Sequence, residues 1–158
     1  MTRQHVAFSI NGEHVEVDVE PRTLLLDVLR GELGLTGAHA ACEQGACGAC
    51  TVLVDGVGMR SCLMFGVQAE GAAVTTIEGV GAPGSLHPLQ QAFHEQHGLQ
   101  CGFCTPGMVL SALELLRRNP RPSREEIERG MAGNLCRCTG YAGIVDAIEA
   151  AAHSGAPV

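Results

Sequence analysis

The chain contains no tryptophan and a single tyrosine, and aromatic residues make up only 3% of its 158 positions. Any packed interior must therefore be built from Val, Leu, Ile, Ala and Met, which the 46% hydrophobic content makes feasible. Positive charge is also scarce. Ten Lys and Arg stand against seventeen Asp and Glu, a formal charge of -7, so there is no basic footprint for a nucleic-acid backbone or an anionic membrane surface. Neither is expected as a partner. Long apolar runs are missing too: Gly107 to Leu116 is interrupted by Ser111 and Glu114 and falls well short of the roughly 20 residues of a membrane span. The opening MTRQHVAFSINGEHVEV alternates polar and apolar residues without the apolar core of an export signal. A soluble, cytoplasmic protein is expected, as one domain or two small ones, and two half-size domains would be marginal on packing alone.

Cysteine, by contrast, is abundant, with eight in the chain. In a reducing cytosol these point to metal ligands or redox residues rather than to a disulfide framework. They fall into two dissimilar halves. In the first, His5 to Ile10 and Val15 to Val19 alternate around Asn11-Gly12, the pattern of a β-hairpin. Thr23 can cap a short helix over Leu24 to Leu33 that stops at Gly34. Thr51 to Val54, a turn at Asp55-Gly56 and Val57 to Ser61 predict a second hairpin, and Val74 to Ile77 a further strand. EGVGAPGS, from Glu78 to Ser85, has few side chains that can pack and reads as a connector. Beyond it four helices are expected, starting near Ser85, near Thr105-Pro106, at Ser123 with Glu126 completing a capping box, and near Thr139. The fold class is thus α+β: a mixed domain over 1–78, a linker over 79–84 and an all-helical domain over 85–158.

Cys42, Cys47, Cys50 and Cys62 form C-x4-C-x2-C with a fourth cysteine beyond a hairpin, the spacing of a plant-type 2Fe-2S ferredoxin. Three thiolates from one loop must wrap a compact iron-sulfide core. Gly45, Ala46, Gly48 and Ala49 in ACEQGACGACTV leave the backbone free to curl and aim amides at sulfur. A structural zinc cage is the rival reading. Cys101 and Cys104 open a helix, where orphan amides favour thiolate, while Cys136 and Cys138 lie two apart in NLCRCTGY. Alone, that second set leaves zinc or a thioredoxin-like redox pair open.

Taken together, ACEQGACGACTV, LQCGFCTPGMV and GNLCRCTGY resemble the iron-sulfur subunit of the molybdenum hydroxylases, the xanthine dehydrogenase family, over roughly Ala7 to Ala150. The resemblance implies a β-grasp ferredoxin-like domain followed by a four-helix bundle, each binding one 2Fe-2S cluster through its four cysteines. It implies a large subunit with a molybdenum-pterin cofactor and a medium subunit with FAD, commonly as a dimer of heterotrimers. Electrons would pass from molybdenum through the helical half's cluster, then the ferredoxin-like one, to FAD. Cys138 would lie against the pterin and Gln100 would hydrogen-bond it. The only departures are small: Ala41 stands where many relatives have Gly, after Ala38-His39-Ala40. A free-standing two-cluster ferredoxin and a structural zinc module remain as alternatives.

Other signals are weaker. GVGAPG fits a nucleotide-binding glycine pattern but contains Pro83 and sits at the domain boundary. His94-Glu95-Gln96-His97 lacks the i, i+4 histidine pair of a zinc protease. His39 reads as a surface histidine more than a tuning group. Arg137 either offsets cluster charge or points to solvent or a partner. Met59, Met64, Met108 and Met131 read as core filler. No nucleophile, base and orienting group come together, so no bond chemistry is expected on this chain alone.

Overall fold

The computed structural model describes residues 2–155. Strands β1 (Gln4–Ile10) and β2 (Glu13–Val19) pair antiparallel, with Val6 opposite Val17 and Phe8 opposite Val15. Asn11 and Gly12 take positive φ of 52° and 87°, the turn whose twist matches a two-residue hairpin. Strands β3 (Thr51–Val54), β4 (Val57–Arg60) and β5 (Ala73–Thr75) complete a five-stranded sheet in the order β2-β1-β5-β3-β4, with β1 and β5 parallel. The expected strand over Val74 to Ile77 ends early, because Ile77–Gly79 turns into a 3-10 coil.

The crossover from β2 packs a short helix onto the sheet: α1 (Leu25–Asp27), which widens into a π-helical turn over Val28–Glu32. Leu25, Leu26, Val28 and Leu29 are buried there against Val6, Phe8, Val52 and Val74. Thr23 does not cap this helix as expected; Leu24 is the N-cap and makes no side-chain bond. The helix entry is tied down by tertiary backbone bonds instead, from the Leu25 amide to the Met64 carbonyl (2.7 Å) and from the Gly66 amide to the Thr23 carbonyl (2.8 Å). Those bonds anchor the segment that carries Cys62. Gly34, at φ 68°, ends the turn.

Four helices form the second half: α2 (Pro88–Glu95), α3 (Thr105–Arg118), α4 (Arg124–Met131) and α5 (Ala142–His153). Helix α2 begins three residues later than expected, because Ala82 and Ser85 close a paired turn and His87 supplies the cap through Nδ1 to the Leu89 amide. Helix α4 opens on the expected capping box, Ser123 with Glu126. Helix α5 starts at Ala142, not near Thr139, since Tyr141 before it is left-handed at φ 71°. Ile127, Ile144, Ile148, Leu110 and Phe93 build the helical core.

The two cores meet at β3. Val52 points into the sheet-and-α1 core, while Leu53, facing the other way, belongs to the helical core, as the two-residue alternation of a strand requires. Met59, expected as core filler, is exposed on the sheet's edge, whereas Met64, Met108 and Met131 are buried. Among the described residues no helix is long and apolar enough to cross a membrane.

Candidate metal centres

The first cysteine quartet lies on the loop before β3 and on the turn after β4. Gly45 and Gly48 take left-handed φ of 78° and 76°, which curls the loop and turns its amides inward. The Cys47 amide donates to Cys42 Sγ at 3.4 Å. Amides of Gln44 and Cys47 and the Cys47 thiol together hold the Cys42 thiol down at about 6. Ser61 draws the fourth cysteine in: its amide and hydroxyl both donate to the Cys50 carbonyl, at 3.3 and 2.7 Å. Cys62 is thereby set beside Cys50, and burial, with the neighbouring Cys50 thiol, pushes its thiol up to about 11. The Cys42 thiol is hydrogen-bonded with that of Cys47, and the Cys62 thiol with that of Cys50; the latter pair is buried.

The second quartet lies at helix ends. Cys104 is the N-cap of α3 and Cys101 precedes it across Gly102, which is left-handed at φ 80°. Cys136 and Cys138 come from the α4–α5 connection. Cys138 Sγ stands 3.5 Å from Cys101 Sγ, and both residues are exposed. Burial and the adjacent Cys136 thiol push the Cys104 thiol up to about 12. Burial acts on Cys136 in the same direction, but Thr139 outweighs it and lowers that thiol, its hydroxyl at 3.1 Å and amide at 3.5 Å from Sγ. Tyr141 completes the support: its hydroxyl accepts from the Cys136 amide at 2.9 Å, and its own amide donates to the Thr139 hydroxyl at 3.1 Å.

Each quartet is thus two pairs of sulfurs. A 2Fe-2S unit asks for two thiolates on each of two irons, whereas structural zinc asks for donors around one point. Among the described residues one buried side-chain polar atom, Thr105 Oγ1, has no hydrogen-bond partner. It belongs to the residue after Cys104, where a sulfur acceptor would satisfy it. The donor set fits a 2Fe-2S cluster in each half.

The structure also brings the two sites together. The Leu135 amide, beside Cys136, donates to the Cys47 carbonyl at 2.8 Å. His39 is a bridge rather than a plain surface residue: its ring stacks on Phe103 (centroids 4.5 Å apart, 22° between planes) and its Nδ1 lies 2.7 Å from the Phe103 carbonyl. Gln100 and Arg137 are exposed beside Cys101 and Cys138. Tyr141 and Leu135 were not singled out from the sequence, and Thr139 only as a helix start; their place inside NLCRCTGY was the one hint of a role at the site.

A mixed sheet with a glycine-curled cysteine loop, joined to a helical bundle with cysteines at its helix ends, defines a two-cluster 2Fe-2S iron-sulfur protein. Comparisons with known proteins agree. The family described as "2Fe-2S iron-sulfur cluster binding domain" matches residues 8–73, and "[2Fe-2S] binding domain" matches residues 76–149. The chain is 51% identical over 152 residues to caffeine dehydrogenase subunit gamma of Pseudomonas sp. (strain CBB1), covering 94% of this chain and 91% of that one. It is 48% identical over 146 residues to the nicotine 6-hydroxylase small subunit of Paenarthrobacter nicotinovorans, covering 92% and 88%. In quinoline 2-oxidoreductase from Pseudomonas putida 86, a solved chain with 48% identity superposes with a TM-score of 0.93, covering 99% of this chain and 100% of that one. The chain belongs to the molybdenum hydroxylase, or xanthine dehydrogenase, family, as its small iron-sulfur subunit.

Proposed function

We propose that this subunit conducts electrons from a molybdenum-pterin centre on a large partner subunit to FAD on a medium one, entering at the helical half and leaving from the sheet half. Cys101, Cys104, Cys136 and Cys138 hold one cluster and Cys42, Cys47, Cys50 and Cys62 the other, in domains spanning 85–158 and 1–78 with 79–84 between them. When bound, each 2Fe-2S cluster supplies a one-electron step; plant-type centres such as the sheet half's lie near about -400 mV, and the helical half's differs because its helix-end environment differs.

The observation that carries this reading is the hydrogen bond from the Leu135 amide to the Cys47 carbonyl, 2.8 Å long. It joins the backbone next to a ligand of one site directly to a ligand of the other. The remaining residues divide the work. Cys101 and Cys138, exposed with Gln100 next to them, give the helical site an open side for the pterin. Thr139 stabilises negative charge on Cys136 through its hydroxyl, and burial of Cys50 and Cys62 keeps water from the inner side of the sheet-half site. The family supports a dimer of heterotrimers as the assembly, and eight cysteines with no disulfide among them suit the reducing cytoplasm.

Cys47→Ser tests the route. In the purified complex, rapid mixing with substrate is expected to reduce molybdenum while flavin reduction stops, with iron analysis showing one cluster lost. Normal flavin reduction in that variant overturns the proposed order.

A further inference from the structure

Between the two quartets lies a polar core that thiol chemistry does not require. Asn134 is 2% exposed, and its amide is used at both ends. Nδ2 donates to the Gly48 carbonyl (3.2 Å) and the Thr51 hydroxyl (3.5 Å), while Oδ1 accepts from the Ser111 hydroxyl (3.0 Å) and from Arg60 Nη2 (3.3 Å). Arg60, the last residue of β4, also donates Nη1 to Thr51 Oγ1 at 2.5 Å and Nη2 to the Gly133 carbonyl at 2.6 Å. Every partner sits close to a ligand. Gly48 lies between Cys47 and Cys50, Thr51 follows Cys50, Arg60 comes two before Cys62, and Asn134 comes two before Cys136. Ser111 hangs from α3, whose first residue follows Cys104.

Stability alone does not call for such a set, since apolar residues of the same size fill buried polar sites as well or better. What a satisfied polar network adds is a single geometry. The two loops otherwise meet through glycine backbones and the bond from the Leu135 amide to the Cys47 carbonyl, with His39 against the Phe103 carbonyl as a further link between the halves. A guanidinium is a rigid planar fork that holds two elements at once. Here it grips Thr51 on the sheet side and Gly133 on the helical side.

We propose that Arg60 and Asn134 are positioning residues for inter-cluster electron transfer: they lock the two cysteine loops in the register that keeps the Leu135 amide on the Cys47 carbonyl. This rests on the reading that Cys47 and Cys136 are ligands of separate clusters. Iron and acid-labile sulfide analysis tests that reading independently of the clasp.

The test is Arg60→Lys in the assembled complex, which keeps the charge and the stem but loses the fork. Iron and sulfide stay at their normal levels. The Leu135 amide exchanges its hydrogen about tenfold faster, the factor that one charge-assisted hydrogen bond carries. The Ile148 amide in the helical core keeps its rate. Low-temperature electron paramagnetic resonance shows a weaker magnetic interaction between the two reduced clusters, and flavin reduction slows while molybdenum reduction does not. An unchanged interaction with unchanged Leu135 exchange overturns the proposal. Equal acceleration at Ile148 overturns it too, because the residue would then serve only global stability. Should Arg60→Lys lose iron, Gly133→Ala decides. A Cβ there would stand 2.7 Å from Arg60 Nη2 and displace the fork with every ligand and donor still present. The same changes are expected, and either an unaltered interaction or loss of clusters from this variant as well overturns the idea.

Discussion

Gly107→Ala gives the sharpest test of how the halves are joined, because two ordinary effects predict opposite signs. Gly107 lies in the first turn of α3, where Ala is favoured over Gly by up to about 1 kcal/mol from helix propensity alone. A Cβ at this position, however, would run into the Gly48 carbonyl oxygen, far inside the 3.0 Å that real Cβ atoms essentially never breach. Neither side can retreat freely. The Gly48 carbonyl accepts from the Thr51 amide (3.1 Å), the Thr51 hydroxyl (2.6 Å) and Asn134 Nδ2 (3.2 Å), and the loop around it carries Cys47 and Cys50. Overpacking of this kind costs about 1–3 kcal/mol, and a distorted buried hydrogen bond adds about 1 kcal/mol. Net of propensity, a loss of about 1–3 kcal/mol is expected, which lowers the melting temperature by about 3–10 °C for a chain of this size. Thermal unfolding of the cluster-loaded protein, followed by circular dichroism and by bleaching of visible absorption together, reads it. A melting temperature equal to or above that of the wild type would refute the claim of direct backbone contact between α3 and the cysteine loop.

Thr139→Val removes the hydroxyl at 3.1 Å from Cys136 Sγ and leaves the amide; the helical-half cluster's midpoint potential is expected to fall by about 30–60 mV, given roughly 1 kcal/mol for the bond and about 59 mV per tenfold for one electron. A redox titration that finds both clusters unmoved counts against it. Burial raises the Glu78 carboxyl's pKa, but the Thr76 hydroxyl and the Gly37 amide, the latter 2.8 Å away, outweigh it and leave it below 4.5. Since the folded value is the lower one, this contribution is present above pH 4.5 and fades as the pH falls through the folded pKa. Glu78→Gln should therefore cost less than about 1 kcal/mol at pH 7 for so exposed a group, with the gap closing in acid. Unfolding curves across that range check the trend, and a gap that widens in acid has the wrong sign.

The grouping of the cysteines was readable because coordination chemistry dictates both residue type and local spacing, and because the Gly/Ala content around Cys42 to Cys50 has no bland structural use. The hairpins were readable from Asn11-Gly12 and Asp55-Gly56, whose turn chemistry is local. Where contacts come from far along the chain, legibility ended. Thr23 has the composition of a cap, yet the Met64 carbonyl takes the amide that a cap would satisfy. Thr139 also looks like a helix start, but its hydroxyl is committed to Cys136 and to the Tyr141 amide, so α5 begins later. His39 carries nothing in its neighbours that announces Phe103, and Asn134 reads as a helix terminator until its four partners are seen. Which sulfur pairs with which is likewise a property of loop shape, not of spacing.

Strand β3 is a party wall. Because Val52 serves one interior and Leu53 the other, cutting the chain within the connector would not yield two tidy pieces. The front fragment would carry Leu53, and with it a strip of oily sheet, out into water, and the rear one would be missing a brick. Separate expression of the halves should give sticky material, and during synthesis the first half must wait with one face bare until α3 emerges to cover it.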